Sequence, residues 1–170
     1  MRAVRAAALA LGAALAGCGA HAPPGSAAPD TVRRADESQA VRTFLHEVAR
    51  NVSRDGPGAW KRAFEDGPQF SMAANGLLVF GDGQAMARGV DELARTLPKI
   101  QLSFGEDLRV DPLTPTLAAV GASYSEVQTD AAGRQHDDHG YFTGIAELKD
   151  GAWRLRSAHW SSVPPSAPQD

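Results

Sequence analysis

The side chains best suited to moving a proton lie on two strand-like segments near the end of the chain. Tyr124 and Glu126 are two residues apart in an alternating segment, so they point to the same face of a strand. In the last segment, alternation places His159 on one face with Trp153, Leu155, Ser157 and Ser161. We expect His159, Glu126 and Tyr124 to converge as candidate catalytic residues, with His159 and Glu126 as an acid–base pair. The alternative is that His159 and Glu126 only hydrogen-bond each other or the helix ends.

These polar groups are expected to face an apolar cup. A carboxyl group in such a cup has a raised pKa, so Glu126 would hold or release a proton near neutral pH. Ligand sites are commonly apolar with a few polar groups. The residues expected to line this pocket are Trp60, Phe64, Phe70, Met72, Phe80, Tyr124, Glu126, Tyr141 and His159.

Two further motifs raise the question of metal or phosphate binding, and neither meets the requirements. In His136-Asp137-Asp138-His139, strand alternation leaves two ligands on each face, too few for a closed zinc site. A solvated hairpin arm is the favoured interpretation of this segment. Gly81-Asp82-Gly83 lacks the Gly-Lys-Ser/Thr continuation of a phosphate loop. We therefore expect no metal and no cofactor.

The opposite face of the last segment carries Arg154, Arg156 and Trp160. An exposed Trp flanked by Arg on a sheet face is typical of a partner surface, which predicts a homodimer through the face that carries Trp160. Alternatively, the Trp lies over the arginine stems of a monomer. The other partner expected is a hydrophobic small molecule in the pocket.

Hydrophobic periodicity predicts helices early in the chain and strands later. Helices are expected over Asp36–Val52, in a short segment that begins at Pro57, and over Val90–Leu97. The expected strands are Gln69–Ala73, Leu77–Phe80, Ile100–Val110 with a break allowed at Gly105, Leu117–Thr129, Gln135–Lys149 and Ala152–Ser162.

Two dipeptides predict tight hairpins within this pattern. Asn75-Gly76 and Asp150-Gly151 suit a type I′ turn, which needs positive φ at both central residues. Helices followed by consecutive strands predict an α+β fold, in which the helices cover one face of an antiparallel sheet.

The N-terminus predicts export and lipid attachment. Arg2 and Arg5 precede an apolar segment, residues 6–16, that is too short to span a bilayer. It leads into Leu15-Ala16-Gly17-Cys18, which resembles a bacterial lipobox. We expect an envelope protein held at a membrane through lipid on Cys18, facing the periplasm or the exterior. An ordinary secretory signal with an incidental Cys is the alternative.

The expected division of the chain is a signal peptide over 1–17, a disordered tether over 18–35, a domain over 36–163 and a disordered tail over 164–170. Cys18 is the only cysteine, which excludes an intrachain disulfide. Cleavage would remove Arg2 and Arg5 and change the formal charge from −3 to −5. A mildly acidic domain lacks the basic surface that nucleic-acid binding requires.

The final segment resembles the nuclear transport factor 2-like superfamily, in particular its SnoaL-like branch. The motif is a Gly-x-Trp-x-aliphatic run after a tight turn that closes in His-x-Ser, here Gly151, Trp153, Leu155, His159 and Ser161. Gly89-Val90-Asp91-Glu92-Leu93 is similar to the family's entry into its third helix. The resemblance implies a cystatin-like cone, in which a curved antiparallel sheet wraps around about three helices and leaves a pocket at its open end.

The same resemblance bears on activity. In the ketosteroid isomerase of this superfamily a Tyr donates to a developing oxyanion, a role that the resemblance gives to Tyr124 or Tyr141. The sequence departs from the isomerase pattern because no Asp is expected to face inward on these strands.

Two functions therefore stay open. The first is a lipid-anchored, non-catalytic module that binds a small molecule or a protein. The second is an isomerase, dehydratase or hydrolase that acts on a hydrophobic small molecule. Because folds of this kind carry many functions, only the site can decide between them.

Overall fold

The computed structural model describes residues 27–164, with side chains from Asp30 onward. The predicted signal peptide, the predicted lipidation site Cys18 and residues 165–170 of the predicted tail lie outside the described residues. Within residues 27–164, no helix combines the length and the apolar character needed to cross a membrane.

The first helix, α1, spans Ala27–Asp55 and begins well before the predicted start at Asp36. The prediction of a disordered tether is therefore wrong for residues 27–35. Arg33 explains part of the difference, because it donates to a Glu37 oxygen at 2.8 Å and to an Asp30 oxygen at 3.4 Å. Such pairs, three or four residues apart, stabilise an exposed helical turn. The predicted apolar stripe is buried, as seen at Val41, Leu45, Val48 and Val52.

The second helix is short. A 3₁₀ turn at Pro57–Ala59 leads into α2, which spans Trp60–Ala63. Pro57 suits this position because the first turn of a helix does not need its N–H. The Trp60 and Phe64 rings stack with centroids 4.9 Å apart, which confirms that these two residues share a face.

The third helix, α3, spans Gly83–Thr96, so the predicted helix start at Val90 is wrong. Asp82 is the N-cap, and its Oδ1 accepts a hydrogen bond from the backbone N–H of Ala85 at 2.7 Å. This bond satisfies one of the free amides of the first turn, where Asp is strongly preferred.

Seven strands follow the predicted positions closely. Their bounds are β1 Ser71–Ala74, β2 Leu77–Phe80, β3 Lys99–Phe104, β4 Arg109–Thr114, β5 Leu117–Thr129, β6 Gln135–Lys149 and β7 Ala152–Ser162. The predicted strand Ile100–Val110 is therefore two strands, with the allowed break realised at Gly105. Both type I′ turns are confirmed, since φ is positive at Asn75 and Gly76 and at Asp150 and Gly151.

The strands form one curved, open sheet in the order β2-β1-β7-β6-β5-β3, with β4 also paired to β5. All the pairs are antiparallel except β1 with β7, which run parallel. The expectation of a wholly antiparallel sheet is corrected to that extent. The α+β cone is confirmed, because α1, α2 and α3 pack on the inner face around one apolar core.

A β-bulge in β7 changes which side chains face the core. Ser157 pairs with Ile145 and Leu155 pairs with Ala146, so the backbone pairing leaves no β6 residue opposite Arg156. An extra residue of this kind reverses the alternation beyond it. Leu155 points inward before the bulge, and Ala158, Trp160 and Ser162 point inward after it.

The predicted faces of β7 are consequently wrong from Ser157 onward. His159 is exposed on the outer face of the sheet, and Trp160 is only 9% exposed. The expectation that Trp160 is exposed is therefore wrong, and the homodimer prediction loses the exposed ring on which it was based. Trp153, before the bulge, is half-buried and packs against the core.

Candidate ligand-binding site

The inner face of the sheet and helices α2 and α3 enclose a cavity of about 490 Å³. The apolar side chains of this lining come from α2 and α3 with their C-cap residues, and from the strands β1, β2, β3 and β7. The apolar side chains are those of Trp60, Phe64, Met72, Val79, Phe80, Val90, Leu93, Leu97, Ile100 and Trp160. This volume lies within the range of small-molecule sites.

The aromatic wall of the cavity is a continuous ring cluster. Trp160 lies edge-on to Trp60, with centroids 5.7 Å apart, and edge-on to Tyr124 at 4.8 Å. Behind it, Phe142 and Phe104 contact the same indole at 4.7 and 6.2 Å. Edge-to-face pairs of this type are favourable beyond the area they bury. The wall is therefore rigidly packed from behind and open toward the cavity.

Gly89 determines how closely α3 approaches the sheet. A Cβ at this position would lie 2.1 Å from Cε1 of Phe80, so only glycine allows the present contact between α3 and β2. The Phe80 ring consequently closes one side of the cavity.

Glu126 places a half-buried carboxyl group in this apolar lining. Burial raises the pKa of its carboxyl group to about 7, and the Asp138 carboxylate, directly opposite on β6, adds to the increase. The Nε2 of Gln128 donates to Glu126 Oε1 at 3.0 Å and opposes the increase by stabilising the charged form. Glu126 thus changes its charge near neutral pH.

A second polar group joins three strands at the same end of the cavity. Tyr124 and Ser162 each donate to Asp138 Oδ2 at 3.0 Å. Gly140 lies between Tyr124 and Ser162 in the sheet and carries no side chain, which lets their hydroxyl groups meet. Asn75 ties the β1–β2 turn to this group, since its Oδ1 accepts from the Ser162 N–H at 2.8 Å.

This network keeps the Tyr124 hydroxyl protonated. Burial, with a contribution from the Asp138 carboxylate, raises the pKa of Tyr124 to about 12. Both hydroxyl hydrogens are directed to Asp138, so the three groups satisfy one another. The network therefore fixes the end of the sheet and leaves the Glu126 carboxyl as the more available polar group.

The structure places six of the nine predicted pocket residues in the cavity lining: Trp60, Phe64, Met72, Phe80, Tyr124 and Glu126. Phe70 is buried behind Phe64, with ring centroids 4.9 Å apart. Tyr141 is 40% exposed on the outer face of the sheet. His159 also lies on the outer face, beside Ala73 and Thr143 in the strand pairing. The predicted His159–Glu126 acid–base pair is therefore wrong.

Sequence reasoning missed Asp138, Ser162 and Gln128. The expectation that no Asp faces inward is wrong, because Asp138 pairs with Glu126 and shares its face. The pairing of Thr129 with Gln135 across the β5–β6 loop fixes this register, so counting back from the loop would have found Asp138. Predicting that Ser162 faces inward would have required knowledge of the bulge at Arg156. In the part of the chain that the structure describes, no cluster of three or more His, Cys, Asp or Glu side chains is placed to hold a metal ion.

No protein-family model matches the sequence, and no curated protein matches it either. Solved structures do match the fold. A scytalone dehydratase-like protein from Novosphingobium aromaticivorans has a TM-score of 0.68 at 12% identity, over 79% of this chain and 89% of its own. A nuclear transport factor 2-like superfamily protein from Salmonella enterica has a TM-score of 0.59 at 12% identity, over 82% and 96% of the two chains.

A third similar structure is LinA Type2, a hexachlorocyclohexane dehydrochlorinase. Its TM-score is 0.63 at 11% identity, over 82% of this chain and 95% of its own. At these identities the likeness concerns the fold and not the activity. The chain has the nuclear transport factor 2-like, cystatin-like α+β cone fold that the resemblance in its last hairpin implies.

Proposed function

We propose that this protein is a lipid-anchored module of the cell envelope that binds an apolar small molecule in the cone. The cavity between α3 and the inner face of the sheet is the observation that supports this proposal most directly. Its walls are aromatic and aliphatic, and hydrogen bonds join most of the polar groups that the sheet contributes. A ligand with an apolar body and one polar group would match this distribution.

Binding is favoured over catalysis by the way the polar groups are used. His159 is on the outer face, and the Tyr124 and Ser162 hydroxyls already donate to Asp138. A hydroxyl committed in this way is poorly placed to donate to a developing oxyanion. The Glu126 carboxyl, in contrast, accepts a hydrogen bond from the neutral Gln128 amide and lines the apolar cavity.

Filling the cavity should abolish binding without unfolding the protein. Leu93 lines the cavity from α3, and Leu93→Trp would place a larger ring in that space. We expect the variant to lose most of the quenching of Trp60 and Trp160 fluorescence that an apolar ligand such as phenylbutanol produces in the wild type.

Arg88→Trp is the matched control, because Arg88 is exposed on the same helix and does not line the cavity. It should bind like the wild type after the added fluorescence is subtracted. Equal binding by Leu93→Trp and Arg88→Trp would show that the ligand occupies another place.

A second candidate function is proton transfer on a bound apolar molecule, with Glu126 as the general acid or base. The pKa of about 7 favours it, because a catalytic group works best when its pKa is near the operating pH. The fold is shared with a scytalone dehydratase-like protein and with a dehydrochlorinase. Turnover of a bound compound that disappears in Glu126→Gln, while binding persists, would favour this function.

The anchor is proposed from the sequence alone. Leu15-Ala16-Gly17-Cys18 supplies small residues for a signal peptidase and a thiol that can receive the lipid. We expect Cys18→Ser to abolish the added lipid mass and to shift the protein out of the membrane fraction of a bacterial host. An unchanged mass and unchanged fractionation would contradict lipid attachment at Cys18.

A further inference from the structure

The ionisable side chains of the cavity are all acidic, apart from the Tyr124 hydroxyl. Of the described residues that line it, three carry a carboxyl group, Glu92, Glu126 and Asp138, and none is Lys, Arg or His. A cavity with one sign of charge selects ligands of the opposite sign or of none, because like charges brought together without water repel strongly. An anionic ligand is thus disfavoured.

The three carboxyl groups differ in how far they are already neutralised. Glu92 lies at the rim, exposed, and forms an ion pair with Arg95 one turn further along α3. Asp138 accepts hydrogen bonds from Tyr124 and Ser162. For Glu126 the partner in the structure is the neutral amide of Gln128. The negative charge with the greatest need of a partner is therefore that of Glu126.

The aromatic lining also favours a positively charged ligand. Trp60, Phe80 and Trp160 present rings to the cavity, and the faces of such rings attract cations. A ligand that places its positive charge near Glu126 would have its apolar body among these rings.

We propose that the preferred ligand is an amphiphilic organic cation, whose ammonium group contacts the Glu126 carboxylate and whose apolar body fills the space beside Leu93 and Phe80. This inference rests on the proposed binding function and specifies the chemical class of the ligand. It follows from the lining, in which the charged groups are acidic and the Glu126 carboxyl has no cationic partner among the described residues.

Binding of a cation should be linked to the protonation of Glu126. Asp138 lies opposite this carboxyl on β6, and Gln128 donates to it. Tyr124 and Glu92 line the same cavity, and none of these four groups supplies a positive charge. An ammonium group beside Glu126 would lower the pKa of that carboxyl from about 7. Below that pH, the bound complex would release a proton on formation.

Three probes with one apolar body test the inference: phenylbutylamine, phenylbutanol and phenylbutyrate. At slightly alkaline pH we expect the amine to bind the full-length protein at least about tenfold more tightly than the alcohol. Phenylbutyrate should be the weakest of the three. Calorimetry at slightly acidic pH in two buffers of different ionisation enthalpy should detect proton release with the amine and not with the alcohol.

Variants assign the preference to one residue. Glu126→Gln should reduce the ratio of amine to alcohol affinity to about one. Glu106→Gln, in the exposed turn between β3 and β4 and outside the cavity, should keep the wild-type ratio.

The outcomes separate the two proposals. Equal binding of the three probes, tighter binding of phenylbutyrate, or an amine preference that survives in Glu126→Gln would overturn the cation inference and leave the binding function standing. Binding of none of the probes by the wild type would overturn both.

Discussion

Trp160→Ala should lower the free energy of unfolding by about 3–5 kcal/mol, the range for deleting a fully packed aromatic side chain. The indole is 9% exposed and contacts the rings of Trp60, Phe104, Tyr124 and Phe142. Its removal would leave a void that these rings cannot fill without breaking their contacts with one another. Urea unfolding followed by circular dichroism measures the loss.

Trp153→Ala is the matched control, because it deletes the same side chain from the same strand. Trp153 is half-buried near the β6–β7 turn and stands outside the ring cluster. We expect it to cost less than about 2 kcal/mol, in proportion to the smaller apolar area it buries. A greater loss for Trp153→Ala than for Trp160→Ala would mean that β7 has no bulge at Arg156.

Glu126→Gln should make the protein more stable than the wild type above pH 7. The pKa of Glu126 is raised from 4.5 to about 7 in the folded state, so the folded protein binds this proton more tightly than the unfolded chain does. The stability it contributes is complete below the unfolded pKa and is lost as pH rises through about 7. Partial exposure reduces the effect, and we expect a gain of about 1–3 kcal/mol.

The measurement is the difference in unfolding free energy between the variant and the wild type at about pH 5 and about pH 8. The difference should grow with pH, since Gln resembles the protonated acid and cannot ionise. Glu106→Gln, at an exposed turn, should show no such growth. A difference for Glu126→Gln that does not depend on pH would mean that its carboxyl is solvated in the folded state.

Local patterns predicted most of the sheet from the sequence. β5, β6 and β7 begin and end where alternation and turn residues predict, because Asp150-Gly151 and the loop before Gln135 fix their ends. The face of Glu126 follows from alternation along an unbroken strand. These features depend on neighbouring residues, which a sequence displays directly.

Other features depended on partners far along the chain. The bulge at Arg156 is a shift in the pairing register between β6 and β7. The residue types in Arg154–Ser157 do not predict it. Because of this one shift, His159 lies on the outer face and Trp160 on the inner face, the reverse of the prediction. The start of α3 does not depend on a distant partner, since Asp82 is a recognisable N-cap in the sequence itself.

The parallel pairing of β1 with β7 has a consequence for the order of assembly. β7 lies between β1 and β6 in the sheet, although it is the last strand to be synthesised. The β1–β2 hairpin can form early, but its neighbour in the sheet is still missing at that time. Pairing β1 with β7 closes a loop of more than 80 residues, from Ala74 to Ser157, and is slow relative to local hairpin formation. The cone is therefore finished from its C-terminal end, and a nascent or truncated chain that stops before Ala152 has no closed cavity to offer a ligand.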